Sequence, residues 1–285
     1  IQDGCNSYCS YCVIPYVRGR SRSRKMDDII NEIRGLVEKG YKEIVLTGIN
    51  IGDFDGSDGS ARLHDLVNQV DKIDGLERIR ISSIDPDEVD DDLLNAVIKG
   101  KKTCPSMHIV LQAGSNAVLS RMRRKYTKSD FYSATRRLKA ARDDFTFTTD
   151  VIVGFPGESD EDFNETKEVV RDIGFVKVHV FPYSKRPATR AARFTDEIDR
   201  KIILERRDEL IRLSEKVAFK KRDTFINQIQ TVLFEDNDPH LIGYMRGYTN
   251  NFMQVSVKNQ GYRKHQIQEI RLVSNKATGF IGEAL

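Results

Sequence analysis

Two hydrophobic rhythms alternate along the first two thirds of the chain. Short, nearly continuous runs of aliphatic and β-branched residues, Lys42–Gly48, Arg78–Ser82, His108–Leu111, Phe145–Val153 and Lys177–Phe181, read as buried strands. Between them, apolar residues recur at three- and four-residue spacing. The segment Asp27–Lys39 carries Ile29, Ile33 and Leu36 on one stripe and stops at Gly40, and helices are likewise predicted near Ala61–Ile73, Asp90–Lys99, Ser129–Arg142 and Asp160–Ile173. The last of these opens with Ser159 three residues before Asp162, a capping-box-like start with acids in the first turn. Strands alternating with helices of this length imply parallel βαβ units, hence an α/β fold. With a stub at Ile1 the count is six strands, too few for an eightfold barrel but suited to an open (β/α)6 partial barrel. In such architectures the site gathers at the C-terminal strand ends. Thr47-Gly48, Ser82-Ser83, Gln112, Gly154 and Pro182-Tyr183 all follow strands and are expected around one mouth.

The rhythm then changes. From about Asp199 to Asn227 a long charged helix carries Ile203, Leu210, Leu213 and Val217 on one stripe, as a packing and linking helix does. Past Phe225 come short β-rich runs, Thr231–Phe234, Leu241–Tyr244, Phe252–Val257, Glu269–Val273 and Gly279–Ala284, broken by Asn, Asp, Gly and Pro. This spacing predicts a small all-β barrel. The expected division is therefore 1–224 and 225–285.

Composition narrows the picture slightly. The 285 residues are 31% charged and 39% apolar, with no run long enough to span a membrane. The formal charge of +3 does not by itself announce a nucleic-acid partner. The chain opens at Ile1 with four residues before its first thiol, and it is expected to be a piece of a longer protein. Three of its four cysteines are clustered, which does not suit a disulfide framework and points to a reducing cytoplasm. The fourth, Cys104, reads as a buried small residue.

Cys5, Cys9 and Cys12 lie in the spacing C-x3-C-x2-C on a short loop. Structural zinc sites usually need four protein ligands and read as two pairs. A [4Fe-4S] cube also has four irons to ligate, and three thiolates leave one iron open to a small molecule. Zinc remains the blander alternative at this point.

With Tyr11 before the last cysteine, this loop resembles that of radical S-adenosylmethionine (SAM) enzymes. The resemblance implies that the open iron chelates SAM and that its reductive cleavage yields a 5'-deoxyadenosyl radical. Further pieces are similar to radical-SAM methylthiotransferases: Ile1-Gln-Asp-Gly-Cys-Asn6, Ile14-Pro-Tyr16, Arg18-Gly-Arg20, Leu46-Thr-Gly-Ile-Asn50 and Arg80-Ile-Ser-Ser-Ile-Asp-Pro86. So are Leu111-Gln-Ala-Gly-Ser-Asn116, Arg121-Met-Arg-Arg-Lys-Tyr-Thr127 and Asp150-Val-Ile-Val-Gly-Phe-Pro-Gly-Glu158. His179-Val-Phe-Pro-Tyr-Ser-Lys-Arg186 and Cys104-Pro105 look most like members that convert N6-threonylcarbamoyladenosine 37 of tRNA to its 2-methylthio form. Gly247-Tyr-Thr-Asn-Asn-Phe-Met-Gln-Val255 resembles a TRAM domain, a β-barrel that binds tRNA in related enzymes. The resemblance further implies an upstream domain with three more cysteines for a second cluster, absent from this sequence, a reductant such as flavodoxin or ferredoxin, and action as a monomer. Without that domain the chain is expected to bind one cluster and SAM but not to complete sulfur insertion.

Carried onto this chain, the resemblance makes Cys5, Cys9 and Cys12 the cluster ligands. Thr47, Gly48 and Asn50 would meet the methionyl amino group, and Ser82, Ser83 and Asp85 the ribose and carboxylate. Gln112 would be a polar group of the mouth, Gly154 would permit close backbone approach in place of a usual G-x-I-x-G-x-x-G that here begins with Asp150, and Tyr11, Phe181 and Pro182 would line the adenine pocket. Basic residues after strand ends, Arg18, Arg20, Arg22, Arg24, Arg121, Arg123, Arg124, Lys125, Lys185 and Arg186, would rim the mouth and contact phosphates of an anticodon loop. Two other readings fit parts of the pattern: a methylthiotransferase for a ribosomal-protein aspartate, and a non-catalytic RNA-binding module with structural zinc.

Overall fold

The computed structural model describes residues 1–285. The first strand, β1 (Gln2–Asp3), pairs antiparallel with β2 (Arg22–Ser23), the short helix α1 (Ile14–Val17) lying between them. Then α2 (Met26–Glu38), β3 (Glu43–Leu46), α3 (Leu63–Val70), β4 (Arg78–Ile84), α4 (Asp91–Lys99), β5 (Thr103–Ile109), α5 (Asn116–Arg121), α6 (Lys128–Ala141), β6 (Thr146–Val153), α7 (Asp160–Ile173) and β7 (Lys177–Pro182) follow. Strands β3 to β7 form a parallel sheet in chain order. A parallel bridge from Gln2 to Gly48 adds β1 beside β3, and the Ile1 backbone nitrogen donates to the Thr47 carbonyl at 2.9 Å. Strands in sequential order put α2, α3, α4, α6 and α7 on one face, where their buried residues share one core. The result is the open six-strand partial barrel that the sequence pattern predicts.

Alternation along the strands separates the two faces. Leu46, Ile79, Ile81, Met107, Phe147, Val151 and Val178 join the helices in a 37-residue core. Their strand neighbours Arg78, Arg80, Ser82, His108, Thr148, Asp150 and His179 therefore point to the inner face. At the start of α7, the Ser159 hydroxyl accepts from Asp162 N at 3.1 Å and the Asp162 carboxylate accepts from Ser159 N at 2.9 Å, closing the predicted capping box.

A 24-residue helix, α8 (Arg200–Asp223), runs back along the sheet. Ile203 and Leu210 are buried as expected, with Leu213 and Val217 packed partly against the main core. Beyond it β8 (Ile229–Asn237), β9 (Tyr244–Thr249), β10 (Gln254–Lys258), β11 (Ile267–Asn275) and β12 (Phe280–Ala284) close into a barrel in the order β10-β12-β11-β8-β9. Val232, Phe234, Val255, Ile270 and Leu272 fill it.

This barrel docks on the inner face of the sheet through main-chain oxygens. Arg78 donates to the carbonyls of Tyr248 and Thr231 at 3.0 and 2.7 Å, and Arg80 to those of Asn250 and Thr249, both at 2.8 Å. Thr146 Oγ1 donates to the Asn251 carbonyl at 2.5 Å.

Three elements depart from expectation. Strand β5 starts at Thr103 rather than His108, because Pro105 falls where the β4 register skips and so costs no ladder bond. Leu241–Gly243 is not a strand, since the Asp238 carboxylate accepts from the backbone N–H of His240 and Leu241 at 2.8 and 3.1 Å and turns the chain there, so that β9 begins only at Tyr244. The next strand begins at Gln254 rather than Phe252, whose φ of +60° belongs to the preceding turn.

Candidate functional site

The cysteine loop is fixed from below by backbone. Gly4, at φ +73°, lets the chain turn into Cys5 directly against the next loop: a Cβ there would lie 2.1 Å from the Arg20 carbonyl oxygen. Cys5 N donates to Gly19 O at 3.2 Å, and Ser10 N and Oγ donate to the carbonyls of Met122 and Arg121 at 2.9 and 2.8 Å. All three thiols are half-buried and free.

Arg124 reaches into this loop from the segment after α5. One guanidinium nitrogen donates to Cys9 Sγ at 3.0 Å, another to the Asp85 carboxylate, and its carbon lies 4.7 Å over the Tyr126 ring. The side chains of Arg124 and Asp85 are only 7% and 11% exposed. Burial pushes the Cys9 thiol up, and Arg124 opposes that shift. Burial likewise raises Cys12 and the Asp85 carboxyl, the latter against the pull of Arg124. By its neighbours in sequence Arg124 belongs with the basic rim. Its charge is instead turned inward and spent on Cys9 and Asp85, so it offers nothing to a phosphate outside.

Gln2 is a second organiser, whose role shows only in the folded chain. Its buried Oε1 accepts from the N–H groups of Ile49 and Asn50 at 3.1 and 2.9 Å, and its Nε2 donates to Ser21 Oγ at 2.6 Å and Gly4 O at 2.8 Å. One amide thus ties the loop after β3 to the start of the cysteine loop.

Several predicted residues converge on this end of the sheet. Gln112 sits at φ +61°, its N–H bonded to Asp150 O and its carbonyl to Ile152 N, both at 2.9 Å. Its Oε1 is buried without a hydrogen-bond partner, as is the Tyr183 hydroxyl, while the Asn50 side chain lies beside the Glu88 carboxylate. Buried polar atoms are seldom left unpaired, so the Gln112 and Tyr183 oxygens are open to a polar ligand. Tyr11 packs edge-on against Phe155 at 6.3 Å, while Phe181 is half exposed and Pro182 partly buried. Thr47 is exposed and Gly48 partly buried beside Gln2, and Ser82 and Ser83 are partly buried at the end of β4.

Gly154 meets protein rather than open space: a Cβ there would lie 2.4 Å from Ile203 of α8. Gly157 likewise abuts Arg121 and Asp196. Protein therefore fills the side-chain direction at both glycines, which take left-handed φ of +72° and +79°.

The basic residues divide by partner. Arg18 and Arg22 pair with Asp3, Arg24 with Glu32, Arg121 with Asp196 and Lys185 with Glu197, all part-exposed. Arg20, Arg123, Lys125 and Arg186 are exposed.

The donor set fits a cluster held by three ligands. Three thiols sit on one loop, one of them hydrogen-bonded by a buried cation. No helix is long and apolar enough to cross a membrane.

Comparison with known proteins agrees with this chemistry. Residues 1–170 match the radical SAM superfamily. The threonylcarbamoyladenosine tRNA methylthiotransferase MtaB of Chlamydia pneumoniae is 45% identical over 99% of this chain and 66% of its own length. The tRNA-2-methylthio-N(6)-dimethylallyladenosine synthase of Finegoldia magna is 38% identical over 90% of this chain and 56% of its own. The chain thus spans between about half and two thirds of the curated relatives it matches. Among solved structures, coproporphyrinogen III oxidase (HemN) from Escherichia coli superposes with a TM-score of 0.50 at 16% identity, covering 67% of this chain and 46% of that one, a likeness of fold alone. By the extent of the sequence match and the cysteine loop at its head, the chain belongs to the radical SAM superfamily, whose members use a [4Fe-4S] cluster and SAM.

Proposed function

We propose that this chain is the cofactor-holding and RNA-contacting part of a methylthiotransferase that places a 2-methylthio group on N6-threonylcarbamoyladenosine in the anticodon loop of tRNA. The observation that carries the reading is the 45% identity, over 99% of the chain, to a relative named for that activity. When bound, the cluster and SAM supply radical chemistry at an otherwise inert C–H bond.

In this reading Cys5, Cys9 and Cys12 hold the cluster, and Arg124 orients Cys9 and offsets its negative charge. Gln112 Oε1 takes a polar group of SAM, with Thr47, Gly48, Asn50, Ser82 and Ser83 around it, and Tyr11, Phe181 and Pro182 beside the adenine. Asp85 serves through its pair with Arg124. Arg20, Arg123, Lys125 and Arg186 contact phosphates, joined by Arg18, Arg22, Arg24, Arg121 and Lys185 when RNA displaces their exposed acidic partners, which costs little. Residues 1–224 form the cofactor domain and 225–285 an RNA-binding barrel. The protein works as a monomer in the cytoplasm, where its thiols stay reduced and a flavodoxin or ferredoxin can deliver electrons.

The test joins metal analysis to RNA binding. Anaerobic reconstitution should give about four irons per chain and an EPR signal that changes with SAM. Anticodon stem-loops carrying threonylcarbamoyladenosine should bind more tightly than those carrying dimethylallyladenosine. Zinc without iron would overturn the cofactor assignment, and equal binding of both stem-loops would overturn the substrate.

A further inference from the structure

Three adjacent strands bring chelating side chains into one row on the inner face. The register pairs Asp150 of β6 with His179 of β7, and His108 of β5 with Thr148 two residues before Asp150. One ligand atom from each of His108, Asp150 and His179 lies within 4.8 Å of the other two. We propose that these three residues bind a divalent ion of the zinc or ferrous class, at a site separate from the cysteine loop.

The local chemistry favours an ion over a simple polar contact. His108 Nε2 approaches Asp150 Oδ2 at 3.5 Å, too far for a good hydrogen bond yet close to the ~3.3 Å between neighbouring ligand atoms when metal bonds are about 2.0–2.1 Å. The other ring nitrogen, His108 Nδ1, is 2.9 Å from Thr148 Oγ1, and such a bond fixes ring orientation in metal sites. The His108 and His179 rings lie 6.0 Å apart and tilted by 35°, with a nitrogen of each within 4.8 Å of the other. Two imidazoles and one carboxylate are the protein share of many zinc and non-haem iron sites, and both kinds keep a position open.

Access comes from the edge of the sheet. His179 is exposed and lines a cavity of about 430 Å³ between β7, α8 and the barrel, together with Lys177, Tyr248 and Phe252. The open coordination position would face that space. The inference does not depend on the methylthiotransferase reading, because its test needs neither cluster nor RNA.

The experiment uses the full chain, untagged, with Cys5, Cys9 and Cys12 all replaced by Ala so that thiolates cannot capture the probe. Titration with Co²⁺ should give visible ligand-field bands that saturate at one equivalent, without thiolate charge-transfer absorption, and Zn²⁺ should displace them. Adding His179→Ala, at an exposed position that leaves the core intact, should weaken Co²⁺ binding more than tenfold, and Asp150→Asn should do the same. Absence of saturable bands, a thiolate band from Cys104, or a titration unchanged by His179→Ala would each overturn the site.

Discussion

Replacing Arg124 by Met should destabilise the protein far more than an equivalent change at a surface ion pair, even before any cluster is loaded. The Met keeps much of the bulk over Tyr126 but removes the charge. Asp85 then stays buried, at 11% side-chain exposure, with its ion-pair partner gone and only Lys125 still pulling on it. Two unit charges about 4 Å apart attract by ~4 kcal/mol at an effective dielectric near 20, and breaking a buried pair from one side costs about 3–5 kcal/mol because the partner is left uncompensated. At the exposed Arg24–Glu32 pair, 50% and 54% exposed, the same truncation should cost about 0–1 kcal/mol. Urea unfolding of the cluster-free proteins measures both. The pH dependence supplies an independent sign. Burial already raises the Asp85 carboxyl, and loss of Arg124 raises it further. A folded-state pKa above the unfolded one means a penalty that is full at high pH and lost as pH falls through the unfolded value, so the gap between wild type and Arg124→Met should narrow on acidification. A loss no larger than that of Arg24→Met, or a gap that widens in acid, would refute the reasoning.

Other consequences can be checked in the same way. Burial, and then the charge of Asp85, push the Glu88 carboxyl up to about 7 from an ordinary 4.5. Wild-type stability should therefore fall as pH rises between those values, by up to roughly 3 kcal/mol. Glu88→Gln should remove that slope, and parallel pH profiles for the two proteins would dismiss the idea. Gly4→Ala meets both a left-handed φ and the Arg20 carbonyl 2.1 Å away, so the cysteine loop must shift. Iron retained after reconstitution should drop severalfold, and a full complement would show that the turn is not needed. Arg80→Met strands two barrel carbonyls and Glu43, each within 2.8 Å of the guanidinium, and hydrogen bonds to a charged group contribute about 1.5–3 kcal/mol each. The melting temperature should fall by several degrees, and an unchanged melt would mean that the barrel is held by other contacts.

Much of the fold was legible because it rests on periodicity. The helices Asp160–Ile173 and Asp91–Lys99 follow stripes and caps written in local sequence, and the parallel strands follow from apolar runs spaced by those helices. The misplaced elements were those where a local signal was overridden. Pro105 reads as a breaker yet lies inside β5, because the β4 register skips there. Leu241–Tyr244 reads as a strand, but the Asp238 carboxylate captures its leading N–H groups.

The site was legible only in part, and the reason is directional. Sequence spacing identifies Cys5, Cys9 and Cys12 as a group because one loop carries them all. It does not reveal which way a charged side chain turns. Arg123, Arg124 and Lys125 are adjacent cations in the sequence, yet Arg123 and Lys125 face solvent while Arg124 is buried on a thiol and a carboxylate. The same limit hid Gln2, a lone amide at the head of the chain whose bonds to Ile49 N and Asn50 N depend on where β1 meets β3. It also hid the inner-face row, since His108, Asp150 and His179 lie on three separate strands and become neighbours only through the sheet register. An inner face whose row of polar groups is built by pairing between strands, rather than by any one segment, can change its chemistry by single substitutions without disturbing the helix-packed core behind it.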